Sequence, residues 1–227
     1  MWAFDTDVGA PRLTELEALL TRDEQERAWR FRLTVDRTRF VAGRGQLRII
    51  LGRYAGTMPQ LLRFTRSGYG KPSLSTETGG GHLRFNASGS AGMALAAIRR
   101  DTDIGVDIER VRPLPDARAL AATVLTARER ADLAALPEDT FLECWTRKEA
   151  VVKSLGRGVS LSFDRIELHP WPGNAACKVK IAQDCINATQ FVAALPPPRD
   201  GYVAAVATTW DPNGAAPQIH RFALPLA

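Results

Sequence analysis

Residues 104–109 have the sequence Ile104-Gly105-Val106-Asp107-Ile108-Glu109, in which apolar residues alternate with small or acidic ones. This period of two is typical of a half-buried strand. Side chains two positions apart point the same way, so Asp107 and Glu109 share a face about 7 Å apart. Carboxylate oxygens suit Mg²⁺, which binds through one or two carboxylates together with substrate phosphates. The stretch therefore predicts either a metal-binding strand or the solvated face of an edge strand.

A second segment, residues 139–155, has apolar residues at helical spacing and is followed by Gly156, a common residue at helix ends. Advancing about 100° per residue places Lys148 and Glu149 inside the apolar arc and Lys153 just beyond its edge. A charge inside an apolar arc needs a partner or a ligand. The helix thus predicts a partly buried polar site, a structural Lys–Glu pair, or charged side chains that extend to the surface.

The two segments together resemble the signature of the 4′-phosphopantetheinyl transferases, most closely the surfactin-synthetase-activating type. The signature is Asp107-Ile108-Glu109 followed by Trp145-Thr146-Arg147-Lys148-Glu149-Ala150-Val151-Val152-Lys153. Three further elements resemble the family in the same order: Gly70-Lys71-Pro72, Phe85-Asn86-Ala87-Ser88-Gly89-Ser90 and Gly156-Arg157-Gly158. The resemblance covers the chain from about Glu24 to Ser162.

The resemblance implies an α/β (α+β) fold of two similar α/β halves in a pseudo-twofold arrangement, with the active site between them. The halves join near Arg100–Asp103. The N-terminal half, residues 1–102, would contact the phosphates and nucleotide of coenzyme A. The C-terminal half, residues 103–227, would supply the metal carboxylates, the helix motif and the docking surface for a carrier protein.

The implied reaction is Mg²⁺-dependent transfer of 4′-phosphopantetheine from coenzyme A to a serine of an apo carrier protein, with release of 3′,5′-ADP. Such phosphoryl transfer depends on positioning and on neutralising phosphate charge. By resemblance the metal-facing carboxylates are Asp107, Glu109 and Glu149. Lys153 matches a phosphate-contacting position, whereas Lys148 could contact phosphate or form a structural ion pair.

The remaining site residues also follow from the resemblance. Arg27 and Arg39 match contacts to the 3′-phosphate end, and arginine can bind two phosphate oxygens at once. Lys71 matches a phosphate contact, and its alternative is an exposed turn lysine. Glu129 aligns with a glutamate proposed as general base, although the sequence alone gives a glutamate on a helix surface. The implied roles are catalytic for Glu129, Glu149 and Lys153, and coenzyme A-binding for Arg27, Arg39, Lys71, Ser88, Gly89, Lys148 and Lys153.

The chain departs from the family pattern at two positions. The family usually has a phosphate-contacting histidine where this chain has Gly89, although Ser88 and Ser90 remain. It often has lysine near Glu24, which is acidic here. The change at Gly89 predicts a weaker grip on the nucleotide, whereas the acidic Glu24 weakens this part of the resemblance.

Composition restricts the other classes of protein. The 227 residues are 45% hydrophobic and carry a net charge of +5. Residues 1–30 show no basic segment followed by a long apolar run, and the longest apolar run is too short to span a bilayer, so we expect neither a secretory signal nor a membrane span. The three cysteines, Cys144, Cys177 and Cys185, lack a metal-type spacing and suit a reducing cytosol. The expectation is a cytoplasmic monomer. Two alternatives stay open: a coenzyme A-binding protein without transfer activity, and a nucleic-acid-binding protein that uses the many arginines between residues 27 and 53.

Periodicity predicts the remaining elements. Helices are expected at Leu13–Leu20, Asp23–Tyr54 and Ala117–Leu136. Strands are expected at Leu83–Asn86, Met93–Arg99, Arg165–Leu168, Cys177–Ile181, Gln190–Leu195 and Tyr202–Thr208. Between residues 111 and 125, Arg112 and Arg118 lie beside Leu114, Leu120 and Val124, which either form a carrier-docking surface or pack inward.

Overall fold

The computed structural model describes residues 1–133, 139–156, 161–168, 176–183, 186–209, 215 and 217–224. The helices are α1 (Ala10–Glu17), α2 (Arg22–Trp29), α3 (Thr34–Ala55), α4 (Ala117–Val124), α5 (Ala127–Leu133) and α6 (Asp139–Leu155). The strands are β1 (Trp2–Asp5), β2 (Phe64–Arg66), β3 (Pro72–Leu74), β4 (Leu83–Ser90), β5 (Met93–Arg100), β6 (Ile104–Arg110), β7 (Ala176–Gln183), β8 (Ile186–Leu195), β9 (Tyr202–Thr209) and β10 (Phe222–Ala223).

Two four-stranded sheets form the centre of the molecule. The first has the order β10-β1-β5-β4, the second has the order β6-β9-β8-β7, and β2 and β3 form a separate hairpin. Pairing is antiparallel throughout both sheets except between β1 and β10, which run parallel. The predicted mixed α/β class is confirmed.

The alternation of side chains along the strands divides the core into layers. Along β9, Ala204 and Val206 point to a cluster that also contains Leu95 of β5, whereas Ala205 and Ala207 point to the cluster beneath α6. The opposite face of β5 packs on α3 through Ala94 and Ala96. The order of layers is therefore α3, first sheet, second sheet, α6, with one sheet and one long helix from each predicted half.

The division at residue 102 and the pseudo-twofold relation stay predictions, and one strand crosses the division. Strand β10, from the C-terminal part of the chain, joins the first sheet beside β1. The ring of Phe222 stacks on Trp2 at 4.9 Å between centroids. The two parts of the chain are thus connected both through the Arg100–Asp103 link and through β10.

The single helix predicted over Asp23–Tyr54 is wrong, because the chain forms α2 and α3 with a break between them. Leu33 has an extended backbone, with φ −94° and ψ 133°. The break lets α2 fold back on α3, so that Ala28, Val41 and Leu20 form a small buried cluster. The helix-like spacing of apolar residues that predicted one helix includes Trp29 and Leu33, which are exposed, so the spacing gave no sign of the break.

Two further element predictions also need correction. The helix expected over Ala117–Leu136 is interrupted at Leu125, whose backbone is extended, and its last three residues lie outside the described part of the chain. The Thr126–Glu129 pair begins a new helix through reciprocal bonds between side chains and backbone N–H groups. The strand expected over Arg165–Leu168 is a short 3₁₀ turn at Phe163–Arg165 followed by a non-repetitive segment, whose Ile166 and Leu168 are buried.

Candidate active site

Gly105 allows α6 to lie directly against β6. A Cβ atom at this position would meet the carbonyl oxygen of Ala150 at 2.0 Å and the backbone nitrogen of Ser154 at 2.3 Å. Gly105, Asp107 and Glu109 share one face of the strand because they are two residues apart. The close approach at Gly105 therefore turns both carboxylates toward α6, which carries Glu149 and Lys153.

Asp107 is the centre of the resulting polar cluster and is almost fully buried. Its Oδ1 accepts a hydrogen bond from Lys153 Nζ at 2.6 Å and another from Ser88 Oγ at 2.7 Å. Lys153 also donates to Ser88 Oγ at 3.1 Å. Three predicted site residues, from β4, β6 and α6, thus meet at one point. The half-buried strand predicted for residues 104–109 is buried on both faces as far as Ile108.

Glu109 and Glu149 flank this cluster. Ser90 Oγ donates to Glu109 at 2.9 Å, and Glu149 lies 4.0 Å from Lys153 Nζ. Burial raises the pKa of Glu109, and the negative charge of Asp107 adds to that rise. Burial also raises the pKa of Glu149; Lys153 opposes this rise, while Asp107 and Glu109 reinforce it. The three carboxylates therefore share one electrostatic environment that is short of positive charge.

Two observations bear on whether the carboxylates of Asp107, Glu109 and Glu149 suit a divalent cation. Asp107 Oδ2 is buried without a hydrogen-bond partner among the described residues, and such an atom is costly to leave unsatisfied. Burial is the main cause of the raised pKa values of Glu109 and Glu149, and a cation bound beside these carboxylates would oppose that rise. Within the described ranges, however, no group of three or more His, Cys, Asp or Glu side chains is arranged as a metal site. Lys153 instead neutralises Asp107.

Lys71 lies in the tight turn before β3 and contacts the other half of the molecule. Its Nζ donates to Asp103 at 3.0 Å and to the carbonyl oxygen of Ser154 at 2.8 Å, near the end of α6. Burial lowers the pKa of this lysine, which Asp103 partly offsets. Lys71, Glu149 and Lys153 line one cavity of about 280 Å³. The lysine therefore connects the turn before β3 to Asp103 and to the end of α6, and it is not an exposed turn residue.

Lys148 and Glu129 form a buried ion pair. Lys148 Nζ donates to Glu129 Oε2 at 2.5 Å, to Val124 O at 2.8 Å and to Phe163 O at 3.0 Å. The other oxygen of Glu129 accepts from the backbone N–H of Leu168 at 2.9 Å. All three ammonium protons are in use, which corresponds to the structural pair left open as an alternative. The structure does not bring these two residues to Asp107, and their predicted roles stay predictions.

Arg39 and Gly89 line a second cavity of about 450 Å³ together with Ser88 and Phe40. Arg39 makes a two-pronged bond to Asp7, at 2.6 and 2.9 Å. Arg27 is exposed, and its guanidinium lies 5.2 Å from the centre of the Phe40 ring. The backbone of Gly89 is not in the left-handed region. A Cβ there would have Met93 O as its nearest neighbour, at 3.4 Å, so the position does not require glycine.

Sequence reasoning missed the partners that hold these groups in place. Glu24 accepts from Arg44 at 2.5 Å and from the buried Arg48 at 2.7 Å, so its acidity orders two arginines. A signal was present, because Thr21 and Glu24 have the spacing of a helix-capping box. The amide oxygen of Asn86 accepts from the backbone N–H of Val106 at 2.9 Å and joins β4 to β6. No local pattern predicts that contact.

The segment predicted to dock a carrier protein is only partly exposed. Val124 is buried, and Leu114 packs against the core, so inward packing holds for these two residues. Leu120 and Arg112 are exposed, and the side chain of Arg118 lies outside the described part of the structure. Arg157, Gly158 and Cys185 lie outside it as well. Cys144 and Cys177 are free and buried, and burial raises the pKa of Cys144 to about 12.

Comparison with known proteins adds independent findings. Residues 103–207 match the model of the 4′-phosphopantetheinyl transferase superfamily. The chain is 36% identical over 220 residues to the 4′-phosphopantetheinyl transferase HetI of Nostoc sp. (strain PCC 7120), covering 94% of this chain and 90% of that protein. It is 31% identical to a putative 4′-phosphopantetheinyl transferase of Synechocystis sp., covering 73% and 68%. It is also 31% identical to the 4′-phosphopantetheinyl transferase psf-1 of Bacillus pumilus, covering 66% and 63%.

None of the helices in the described ranges combines the length and the apolar character that crossing a membrane requires.

Proposed function

Since the chain belongs to the 4′-phosphopantetheinyl transferase superfamily, we propose that it transfers the 4′-phosphopantetheine group of coenzyme A to a serine of an apo carrier protein. The serine oxygen forms a bond to the β-phosphorus of coenzyme A, the pyrophosphate bond breaks, and 3′,5′-ADP leaves. The serine proton passes to a base. The chain is a transferase, and its assignment to the surfactin-synthetase-activating type stays a prediction.

The observation that carries the proposal is the contact among Ser88, Asp107 and Lys153. It joins three of the five sequence elements that resemble the family, although they lie far apart in the chain. A polar cluster of this kind, placed where β4, β6 and α6 meet and beside two cavities, can bind a phosphate through Lys153 and Ser88. It can also hold a cation through the free oxygen of Asp107.

We assign the metal to Asp107, Glu109 and Glu149. Bound there, Mg²⁺ would neutralise the phosphate oxygens and the developing charge on the leaving group. Glu109 and Glu149 would give up their excess affinity for protons when the cation binds. Lys153, 2.6 Å from Asp107 in this structure, is suited to a phosphate oxygen once the cation neutralises that carboxylate.

We assign the remaining coenzyme A contacts to residues that line the two cavities. Arg39, Ser88 and Gly89 line the larger one, and Arg27 lies over the ring of Phe40 on its border. Lys71 lines the smaller one and would have to leave Asp103 to bind phosphate. For Lys148 to bind phosphate, or Glu129 to act as the base, their mutual ion pair would have to open.

The test is to incubate the protein with coenzyme A, Mg²⁺ and a small apo carrier protein, and then to determine the mass of the carrier. We expect a gain of one phosphopantetheine, loss of that gain with a chelator, and recovery on adding Mg²⁺. The variant Asp107→Ala should stay folded and lose nearly all transfer. Turnover that is indifferent to chelation would contradict the metal assignment.

The same mixture separates the alternative functions. Binding of coenzyme A without any change in carrier mass would indicate a coenzyme A-binding protein. Binding of nucleic acid that ignores both coenzyme A and Mg²⁺ would indicate the basic-patch alternative. We propose a monomer in the cytoplasm, consistent with two free buried cysteines, and without a nucleic-acid partner; analytical ultracentrifugation tests the monomer.

A further inference from the structure

The break between α2 and α3 exposes an unusual run of apolar side chains. All residues from 29 to 36 are exposed, including Trp29 at 65%, Phe31 at 38%, Leu33 at 61% and Val35 at 44% of their full accessible area. Other large apolar side chains in the described ranges are also exposed, such as Met58 and Leu61, but none of them belongs to a run of eight consecutive exposed residues. Four such residues within one short segment mark a surface for interaction.

Basic residues surround this run. Residues 27–37 contain four arginines, Arg27, Arg30, Arg32 and Arg37, against one aspartate. The guanidinium of Arg37 lies 3.4 Å from the centre of the Trp29 ring, and Phe31 packs against Phe40 at 5.3 Å between centroids. Trp29 and Phe31 are thus held in place by neighbours while they remain exposed. We call residues 27–37 the aromatic–basic patch.

The patch adjoins the larger cavity. Phe31 and Asp36 belong to the patch and also line the cavity that contains Ser88, Gly89 and Arg39. Trp29, Leu33 and Val35 do not line it. A molecule bound to the outer part of the patch would therefore lie at the mouth of the cavity without occupying it.

We propose that the aromatic–basic patch is a docking surface for the acidic carrier protein, on the N-terminal half of the enzyme. The proposal rests on the proposed function, which requires the carrier to bring its serine to the coenzyme. Tryptophan and arginine are the residues that most often contribute large binding energies at protein interfaces. Arg30, Arg32 and Arg37 would attract an acidic partner and orient it, while Trp29 and Leu33 would hold it.

The test compares matched pairs of exposed residues. Trp29→Ser with Leu33→Ser should raise the carrier KM at least tenfold and leave kcat and the Kd for coenzyme A unchanged. Met58→Ser with Leu61→Ser, which removes two apolar side chains that are each 60% exposed, should change none of them. Arg30→Glu with Arg32→Glu should raise the carrier KM most at low salt, whereas Arg53→Glu with Arg63→Glu should have little effect.

Calorimetry of apo carrier binding without coenzyme A separates this inference from the proposed function. Loss of carrier affinity in the Trp29/Leu33 variant supports docking even if no transfer occurs. Transfer with an unchanged carrier KM and Kd in that variant overturns the docking surface alone. Wild-type binding to phosphatidylserine vesicles that depends on Trp29, with carrier affinity unchanged, also overturns it and assigns the patch to a lipid surface.

Discussion

At the scale of single residues, Gly89 offers a test of how the proposed site binds coenzyme A. We expect Gly89→His to fold, because the backbone is not left-handed and the nearest neighbour of the new Cβ is 3.4 Å away. A new charge-assisted hydrogen bond contributes about 1.5–3 kcal/mol, or roughly one to two decades in affinity. The ratio of kcat/KM for coenzyme A over dephospho-coenzyme A should rise if the contact is to the 3′-phosphate. An unchanged ratio would mean that Arg27, Arg39 and Lys71 already saturate it.

The role of Glu129 can be tested by measuring the free energy of unfolding and the kcat of a variant separately. Glu129→Gln leaves Lys148 charged and buried, and breaking a buried pair costs about 3–5 kcal/mol in the free energy of unfolding. Glu167→Gln is the control, because the pair of Glu167 with Arg128 is exposed and worth about 0–1 kcal/mol.

The kcat of the folded Glu129→Gln variant then decides the catalytic role. A fall of about 10²–10⁴-fold would support Glu129 as general base. A kcat within about threefold of the wild type would confine this residue to stability and move the base to Glu149 or to water on the metal.

The carboxylate cluster predicts how metal affinity depends on pH. The folded pKa values of Glu109 and Glu149 lie above their ordinary value of 4.5, so the folded state holds these protons more tightly than the unfolded state. Their ionisation therefore costs stability as pH rises through that window. Mg²⁺ should remove this cost, so the gain in Tm on adding Mg²⁺ should be larger at pH 8 than at pH 5.

Two variants check this pH dependence by thermal unfolding. Glu149→Gln should reduce the gain in Tm and its dependence on pH, whereas Glu77→Gln, at an exposed site away from the cluster, should leave both unchanged. An equal gain at both pH values in the wild type would contradict the assignment.

At the scale of elements, the packing of α6 on β6 depends on Gly105. Gly105→Ala places a methyl group against backbone atoms that cannot move aside. We expect the free energy of unfolding to fall toward the upper end of the range of about 1–3 kcal/mol for overpacking. Turnover should fall as well, because the helix carries Glu149 and Lys153. Gly68→Ala is the matched control, since a Cβ there meets open space; equal unfolding midpoints for the two variants would exclude the mechanism.

The same elements show what the sequence could predict. Alternation along residues 104–109 correctly predicted β6 and the shared face of Asp107 and Glu109, because side-chain direction in a strand follows from position. Helical spacing predicted a helix over residues 139–155, and α6 has these bounds in the structure. The contact of Lys153 with Ser88 joins residues 65 positions apart. It depends on how two sheets pack, which no local pattern contains.

The breaks at Leu33 and Leu125 could not be predicted from apolar spacing, for a related reason. Helix-like spacing of apolar residues does not report where a helix axis turns, and around Leu33 it does not report a buried face either, because Trp29 and Leu33 are exposed. The capping pairs at Thr21 with Glu24 and at Thr126 with Glu129 were readable signals for two of the helix starts. The resemblance assigns Glu129 a catalytic role, whereas the structure shows that it also caps the start of α5.

At the scale of the whole molecule, β10 should hold the first sheet to the C-terminal part of the chain. The backbone N–H groups of Phe222 and Leu224 donate to Met1 O and Ala3 O, at 2.8 and 3.1 Å. Removing the ring in Phe222→Ser also removes its stacking on Trp2, worth about 0.5–1.5 kcal/mol. We expect faster hydrogen exchange at both amides, while Ile219→Ser in the same segment should have less effect. Unchanged exchange would show that backbone pairing alone suffices.

The parallel pairing of β1 with β10 makes the chain a closed ring in mechanical terms. Two lobes that are joined by a single link can swing apart about that link. Two lobes that are joined at two separate points, here the Arg100–Asp103 link and β10, resist this opening and can mainly slide or twist against each other. Whatever room coenzyme A needs between Lys71 and Lys153 should therefore come from side chains that change partners. Lys71 leaving Asp103 and Lys153 leaving Asp107 are exchanges of this kind, and neither requires the two sheets to separate.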